Sequence, residues 1–189
     1  IDVNDQFGAG DILGESQFGL SHDGNTLAVG AFGEDSGSVS NQADNSANNA
    51  GAAYIFIRSG ATWTQEAYLK APHPRFADLF GESIALSADG NTVAIGAKNE
   101  DSAVFGVDGD DTNTSATNAG AVHVYRRVSG TWTHAHYVKA SNTDAGDELG
   151  RGIALSADGS QLAITAPLED GIATNEQAAT PASAISSVV

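Results

Sequence analysis

FGESIALSADGNTVAIGA, residues 80–97, decides the fold, because its pattern occurs three times in the chain. The earlier copy reads LGESQFGLSHDGNTLAVGA (13–31) and the later one LGRGIALSADGSQLAITA (149–166). In the middle copy Ile84, Leu86, Val93 and Ile95 alternate with small or polar residues. The same places hold Phe18, Leu20, Leu27 and Val29 in the first copy, and Ile153, Leu155, Leu162 and Ile164 in the third. Alternation with a period of two marks strands, and the Asp-Gly pair between the two runs supplies the positive backbone angles of a tight reversal. Each copy therefore reads as a β-hairpin. Ala28, Ala94, Ala154 and Ala163 fall on the opposite face, apolar but small, so both faces are expected to be covered, one of them by a close neighbour.

A second block follows the first two hairpins. GAAYIFI (51–57), TWT (62–64) and YLKA (68–71) match GAVHVYR (120–126), TWT (131–133) and YVKA (137–140), and both Gly51 to Gly120 (120 − 51) and Trp63 to Trp132 (132 − 63) span 69 residues. Ser59-Gly60 and Ser129-Gly130 mark the turns of a further hairpin. Two hairpins per period make four antiparallel strands, the make-up of a propeller blade. The expected organisation is all-β, with about three blades: residues 1–11 end a preceding strand, 12–77 and 78–146 form two blades, and 147–189 form a third. That third blade is incomplete or closed by the amino-terminal strand, and 184–189 is its candidate third strand. Propellers have about four to eight blades, so the expectation is a partial propeller or the subunit of a larger ring: an oligomer, or part of a longer chain. The start at Ile1 and the lack of Met point the same way, to a matured, excised or incomplete piece.

Composition narrows the partners. Eight Lys and Arg against 24 Asp and Glu give a formal charge of −16, which repels nucleic acid and anionic membrane surfaces. No stretch reaches the roughly 18 apolar residues of a membrane span. Without Cys there is neither a disulfide framework nor a thiolate metal site. An acidic chain rich in Gly, Asn, Ser and Thr suits a secreted or cell-surface protein and attracts divalent cations, although solubility alone is served equally well.

The repeated residues resemble the FG-GAP repeat family, which includes the integrin alpha-subunit propellers. The Phe-Gly element stands as Phe80-Gly81, with Leu13-Gly14 and Leu149-Gly150 as relaxed versions; the Gly-Ala-Pro element stands as Gly30-Ala31-Phe32, Gly96-Ala97-Lys98 and Thr165-Ala166-Pro167. The resemblance is closest to bacterial surface or secreted members. It implies a non-catalytic adhesion or recognition module with a protein or carbohydrate ligand. The rival expectations are a glycan-acting enzyme on a propeller scaffold and a purely structural subunit. Relatives of the integrin type often carry a calcium loop between the two elements. Here that place holds only Ser87-Ala88-Asp89-Gly90-Asn91-Thr92 and its counterparts, and one carboxylate cannot supply the six to eight oxygens that calcium takes. Asp23, Asp89 and Asp158 are instead expected to bond the backbone amides of their own turns.

Function is expected in the long polar loops between the hairpins, residues 34–50 and 100–119. The calcium candidates are Asp108, Asp110, Asp111 and Asn113, with Asp101 and Glu100 at the base of the same loop; the first loop offers the thinner set Glu34, Asp35, Asp44 and Asn45. Solvated acidic loops without metal are the competing expectation. His134 and His136, two apart on a strand, share a face and suit a transition metal or plain exposure. Trp63 and Trp132 suit packing between blades or stacking on sugars. No nucleophile, base and orienting partner stand out from the turn residues, so no catalytic residue is assigned.

Overall fold

In the computed structural model the described residues are 18–170 and 182–187. They hold eleven strands and no helix: β1 Phe18–Leu20, β2 Thr26–Ala31, β3 Ala52–Ser59, β4 Thr62–Leu69, β5 Ser83–Leu86, β6 Thr92–Ala97, β7 Ala121–Val128, β8 Thr131–Val138, β9 Gly152–Leu155, β10 Gln161–Ala166 and β11 Ala182–Ser187. Every pairing between these strands is antiparallel. Strands β1 to β4 and β5 to β8 form two four-stranded sheets in chain order, and β9 to β11 form a three-stranded one. The third strand expected at 184–189 lies at Ala182–Ser187. The strand expected at the amino terminus and Leu13-Gly14 fall outside the described residues.

The turns of the inner hairpins form as the sequence implies. Asp23 Oδ1 accepts the Ser21 hydroxyl at 2.6 Å and the Asn25 amide at 3.0 Å, and Ser21 Oγ accepts the Thr26 amide at 2.9 Å. Ser87 with Asp89, and Ser156 with Asp158, repeat the arrangement. The serine hydroxyl, then the backbone amide, holds Asp23 and Asp158 down at a pKa of about 2.

Successive sheets stack with unlike faces together. Ala28, Ala53, Ile55 and Leu69 of the first sheet meet Ile84, Val93, Ile95 and Tyr125 of the second. Ala94, Val122, Val124 and Val138 of the second meet Leu162, Ile164 and the partly buried Ile153 and Leu155 of the third. A small face thus receives a large one, and each buried aliphatic side chain contributes about 1.5–3 kcal/mol. The backbones approach so closely that a Cβ on Gly30 would lie 1.9 Å from the Gly81 carbonyl oxygen, and one on Gly96 would lie 2.2 Å from that of Gly150. This contact explains why glycine recurs at the end of the second strand. The expectation that both faces are covered fails for the third sheet: Ala154 and Ala163 are exposed, because no described sheet follows it.

Candidate functional site

The long loops leave the second strand of each four-stranded sheet and return to the third, and both are closed at the base by one device. Glu34 and Glu100 are buried. The Glu34 carbonyl accepts the Gly51 amide at 2.8 Å and that of Glu100 the Gly120 amide at 2.9 Å. Their carboxylates accept Lys70 Nζ at 2.7 Å and Lys139 Nζ at 2.8 Å, from lysines whose side chains are fully buried. Lys70 also donates to the Gly51 carbonyl, and the Tyr68 hydroxyl donates to Glu34 Oε1. Burial lowers the pKa of both lysines, and the paired glutamate opposes that shift. The neighbouring Asp35 and Asp101 each accept an asparagine amide, Asn49 at 2.8 Å and Asn118 at 2.9 Å.

The returning end of each loop then joins the next sheet. Residues 48–50 accept the amides of Ala77, Leu79 and Phe80, while 117–119 accept those of Gly146, Glu148 and Leu149. Gly51 bridges to Phe80, and Gly120 to Leu149, in parallel. The Phe-Gly element therefore anchors one repeat to the loop of the repeat before it. The repeat itself can now be assigned, since the family model of the FG-GAP repeat matches residues 63–125. The central third of the chain matches the FG-GAP repeat. The matched segment runs from Trp63 on β4 through the Phe80-Gly81 and Gly96-Ala97 elements to Tyr125 on β7. A search of curated proteins finds no match to the chain.

Beyond their bases the two loops of this repeat array differ. The first folds on itself: Asp44 Oδ2 accepts the Gly37 amide and the Ser46 hydroxyl. The second runs outward along β8, where Val107 bridges Val138, Lys139 donates its amide to Gly106, and Asp108 exchanges bonds with Tyr137. It covers part of an edge that would otherwise present unpaired backbone groups. The same loop also reaches back to the connection between the sheets: Asp111 Oδ1 lies 2.9 Å from His73 Nδ1, and the Asp111 carbonyl accepts Arg75 Nη2 at 2.8 Å. Between the two loop tips and that connection lies a cleft of about 660 Å³, lined by Ser38, Val39, Pro72, His73, Arg75 and Thr112 among others.

Each of the calcium candidates bonds a protein group of its own. Asp101 Oδ1 is held by Asn118, Asp108 uses one oxygen on the Tyr137 amide and the other on His136, and Asp110 accepts the Thr112 amide. Asn113 Oδ1 accepts the Ala103 and Ser115 amides, and Asp111 faces His73. Their oxygens serve separate protein donors, whereas calcium needs six to eight on one centre. Among the described residues no three His, Asp or Glu side chains are grouped to hold a metal.

The histidines also part. Val124 pairs with His136 and Tyr125 with His134, so Ala135 is an extra residue in a bulge between them. His134 Nε2 sits 3.1 Å from Nδ1 of the buried His123, and His136 bonds Asp108. Trp132 packs between the first two sheets. The loop-base lysines were missed in the sequence, and Glu34 and Glu100 were named there only among the calcium candidates. The signal was present, since Glu34-Asp35 and Glu100-Asp101 recur in register, as do Lys70 and Lys139.

Proposed function

We propose that this chain is a non-catalytic recognition module of a secreted or cell-surface protein, and that it engages a protein or glycan ligand through the cleft between its loop tips. The observation that carries the reading is the pair Phe76 and Phe105, which are 72% and 73% exposed. Neither is required by the repeat. Phe76 stands where the next repeat has Ala145 (76 + 69), and Phe105 lies in the part of the second loop that has no equivalent hydrogen bonding in the first. Phe76 belongs to the connection that supplies His73 and Arg75, and Phe105 to the loop that supplies Thr112. Exposed aromatics on the same segments as the residues that line a cleft support ligand contact. Among the described residues no helix is long and apolar enough to cross a membrane.

The test is binding of the full chain to a panel of purified matrix proteins and glycans, beside the variant F76A/F105A. The reading expects at least one ligand, its binding lost in the variant while the melting temperature is kept, and no cleavage of that ligand. Undiminished binding by the variant, or turnover of a glycan, would contradict it. Calcium is expected to leave the melting temperature unchanged, because protein donors already use the loop carboxylates.

A further inference from the structure

At the outer edge of the second sheet the chain lays down an extended segment of its own. Asp108 donates its amide to the Tyr137 carbonyl at 2.7 Å and Lys139 donates to the Gly106 carbonyl at 2.8 Å, on either side of the antiparallel bridge between Val107 and Val138. The Gly106 amide reaches the Ala140 carbonyl at 3.2 Å, and Asp108 Oδ1 accepts the Tyr137 amide at 3.0 Å. Residues 106–108 thus stand where a further strand would stand, and they satisfy the outward backbone groups of β8.

The first sheet has the same edge without the segment. Tyr68, Leu69 and Lys70 stand 69 residues before Tyr137, Val138 and Lys139 (137 − 68, 138 − 69 and 139 − 70). The registers agree: Tyr54 pairs with Tyr68 and Ala53 with Leu69, as His123 pairs with Tyr137 and Val122 with Val138. The amides of Tyr68 and Lys70 and the carbonyl of Tyr68 therefore point outward, since backbone groups alternate in direction along an antiparallel strand. β4 ends its sheet, and among the described residues no backbone group bonds these three. The first loop does not reach them. It is three residues shorter between its glutamate and its closing glycine (51 − 34 against 120 − 100), and Asp44 folds its tip back on Gly37 and Ser46. Ser38 and Val39 line the cleft instead, together with Pro72, which directly follows Ala71 at the end of the open edge. The edge is held in place on its inner side, by Lys70 Nζ on Glu34 and by the Tyr125 hydroxyl on the Lys70 carbonyl.

We propose that residues 68–70 receive an extended segment of a protein ligand, added antiparallel to β4 as residues 106–108 are added to β8. The inference rests on the recognition reading of the cleft and narrows its ligand to protein, because a glycan has no ladder of backbone N–H and C=O groups to pair with a strand. The chain's own segment defines the chemistry. An apolar residue stands opposite Leu69, as Val107 stands opposite Val138, and the next residue is an acid whose carboxylate accepts the Tyr68 amide, as that of Asp108 accepts the Tyr137 amide. Because the receiving edge is already fixed, binding orders the ligand segment alone.

Amide exchange of the full chain, resolved by residue, is the test. In the free chain Lys70 is expected to exchange at least about tenfold faster than Lys139, whose amide has the Gly106 carbonyl. Equal protection of the two amides, at every concentration or only at high ones, means that the chain or a second copy already fills the edge, and overturns the proposal. The probe is a synthetic peptide of residues 103–110 at millimolar concentration. It is expected to slow Lys70 about fivefold or more and to leave Lys139 unchanged, while the same peptide N-methylated at the residue for Asp108 has no effect. A chimera in which residues 100–119 replace residues 34–50 presents the segment at high local concentration, and its Lys70 amide is expected to become as slow as that of Lys139. Lys70 left fast by the peptide, or left fast in the folded chimera, overturns the proposal. The peptide is expected to protect Lys70 in the F76A/F105A variant as well, so that failure of the cleft aromatics and failure of the edge are read separately.

Discussion

In the first long loop Asp44 turns back to Gly37 and Ser46, whereas at the corresponding stage the second loop leaves its own base, pairs with β8 through Val107 and crosses to His73 and Arg75. Yet the bases of the two loops share their main contacts, from the buried Lys-Glu pair to the aspartate that takes an asparagine amide. The difference separates two uses of acidic residues. Those repeated in register close the loops and join neighbouring sheets. Those at the tips shape a surface that varies from one repeat to the next, which is where a ligand can be specified without disturbing the scaffold.

The comparison breaks if the bases can be lost cheaply. Glu100→Ala leaves Lys139 buried without its carboxylate and is expected to cost about 3–5 kcal/mol in urea denaturation, as is Glu34→Ala for Lys70. The double variant E100L/K139M removes both charges and is expected to recover most of that loss. A single variant with wild-type stability would show that the pair does not hold the loop.

Asp78 sharpens the comparison, because it lies where the base of the first loop meets the second sheet. Its Oδ2 accepts the Arg75 amide at 3.0 Å, and burial pushes its pKa up to about 7. The folded state therefore prefers the protonated acid. The associated stability is fully present below the unfolded value near 4 and is lost as pH rises through about 7, by about 2–4 kcal/mol. Asp78→Asn keeps an acceptor without the charge. Its melting temperature is expected to rise relative to wild type between pH 4 and 7 and to hold a constant lead above; a difference that does not change with pH would contradict this.

Smaller effects belong to the tips. Asp108→Ala removes the cap on the Tyr137 amide and is expected to cost about 1 kcal/mol, with faster exchange of that amide. Phe76→Ser is expected to change stability by less than about 0.5 kcal/mol, since the side chain lies open; a larger loss would make it part of the scaffold.

The strands, turns and repeat register were legible because each is set locally, by alternation and by Ser, Asp and Gly at fixed places. The pairing of Glu34 with Lys70 was not, since 36 residues separate them and each looks like an ordinary surface charge. The separate protein donors that Asp101, Asp108, Asp110, Asp111 and Asn113 take were not legible for a related reason. Adjacency in a loop says nothing of where each side chain points, and neighbouring backbone amides compete for the same oxygens. The exposed Ala154 and Ala163 show a further limit, because a face patterned for burial is covered only when a neighbour is present.

Amide hydrogen exchange of the full chain, with calcium and with chelator, measures the division between base and tip most directly. The amides of Asn49, Gly51, Asn118 and Gly120 are expected to exchange at least about a hundredfold more slowly than those of the loop tips, at equal rates in both conditions. Bases that exchange as fast as the tips, or that are protected only when calcium is added, would contradict the account.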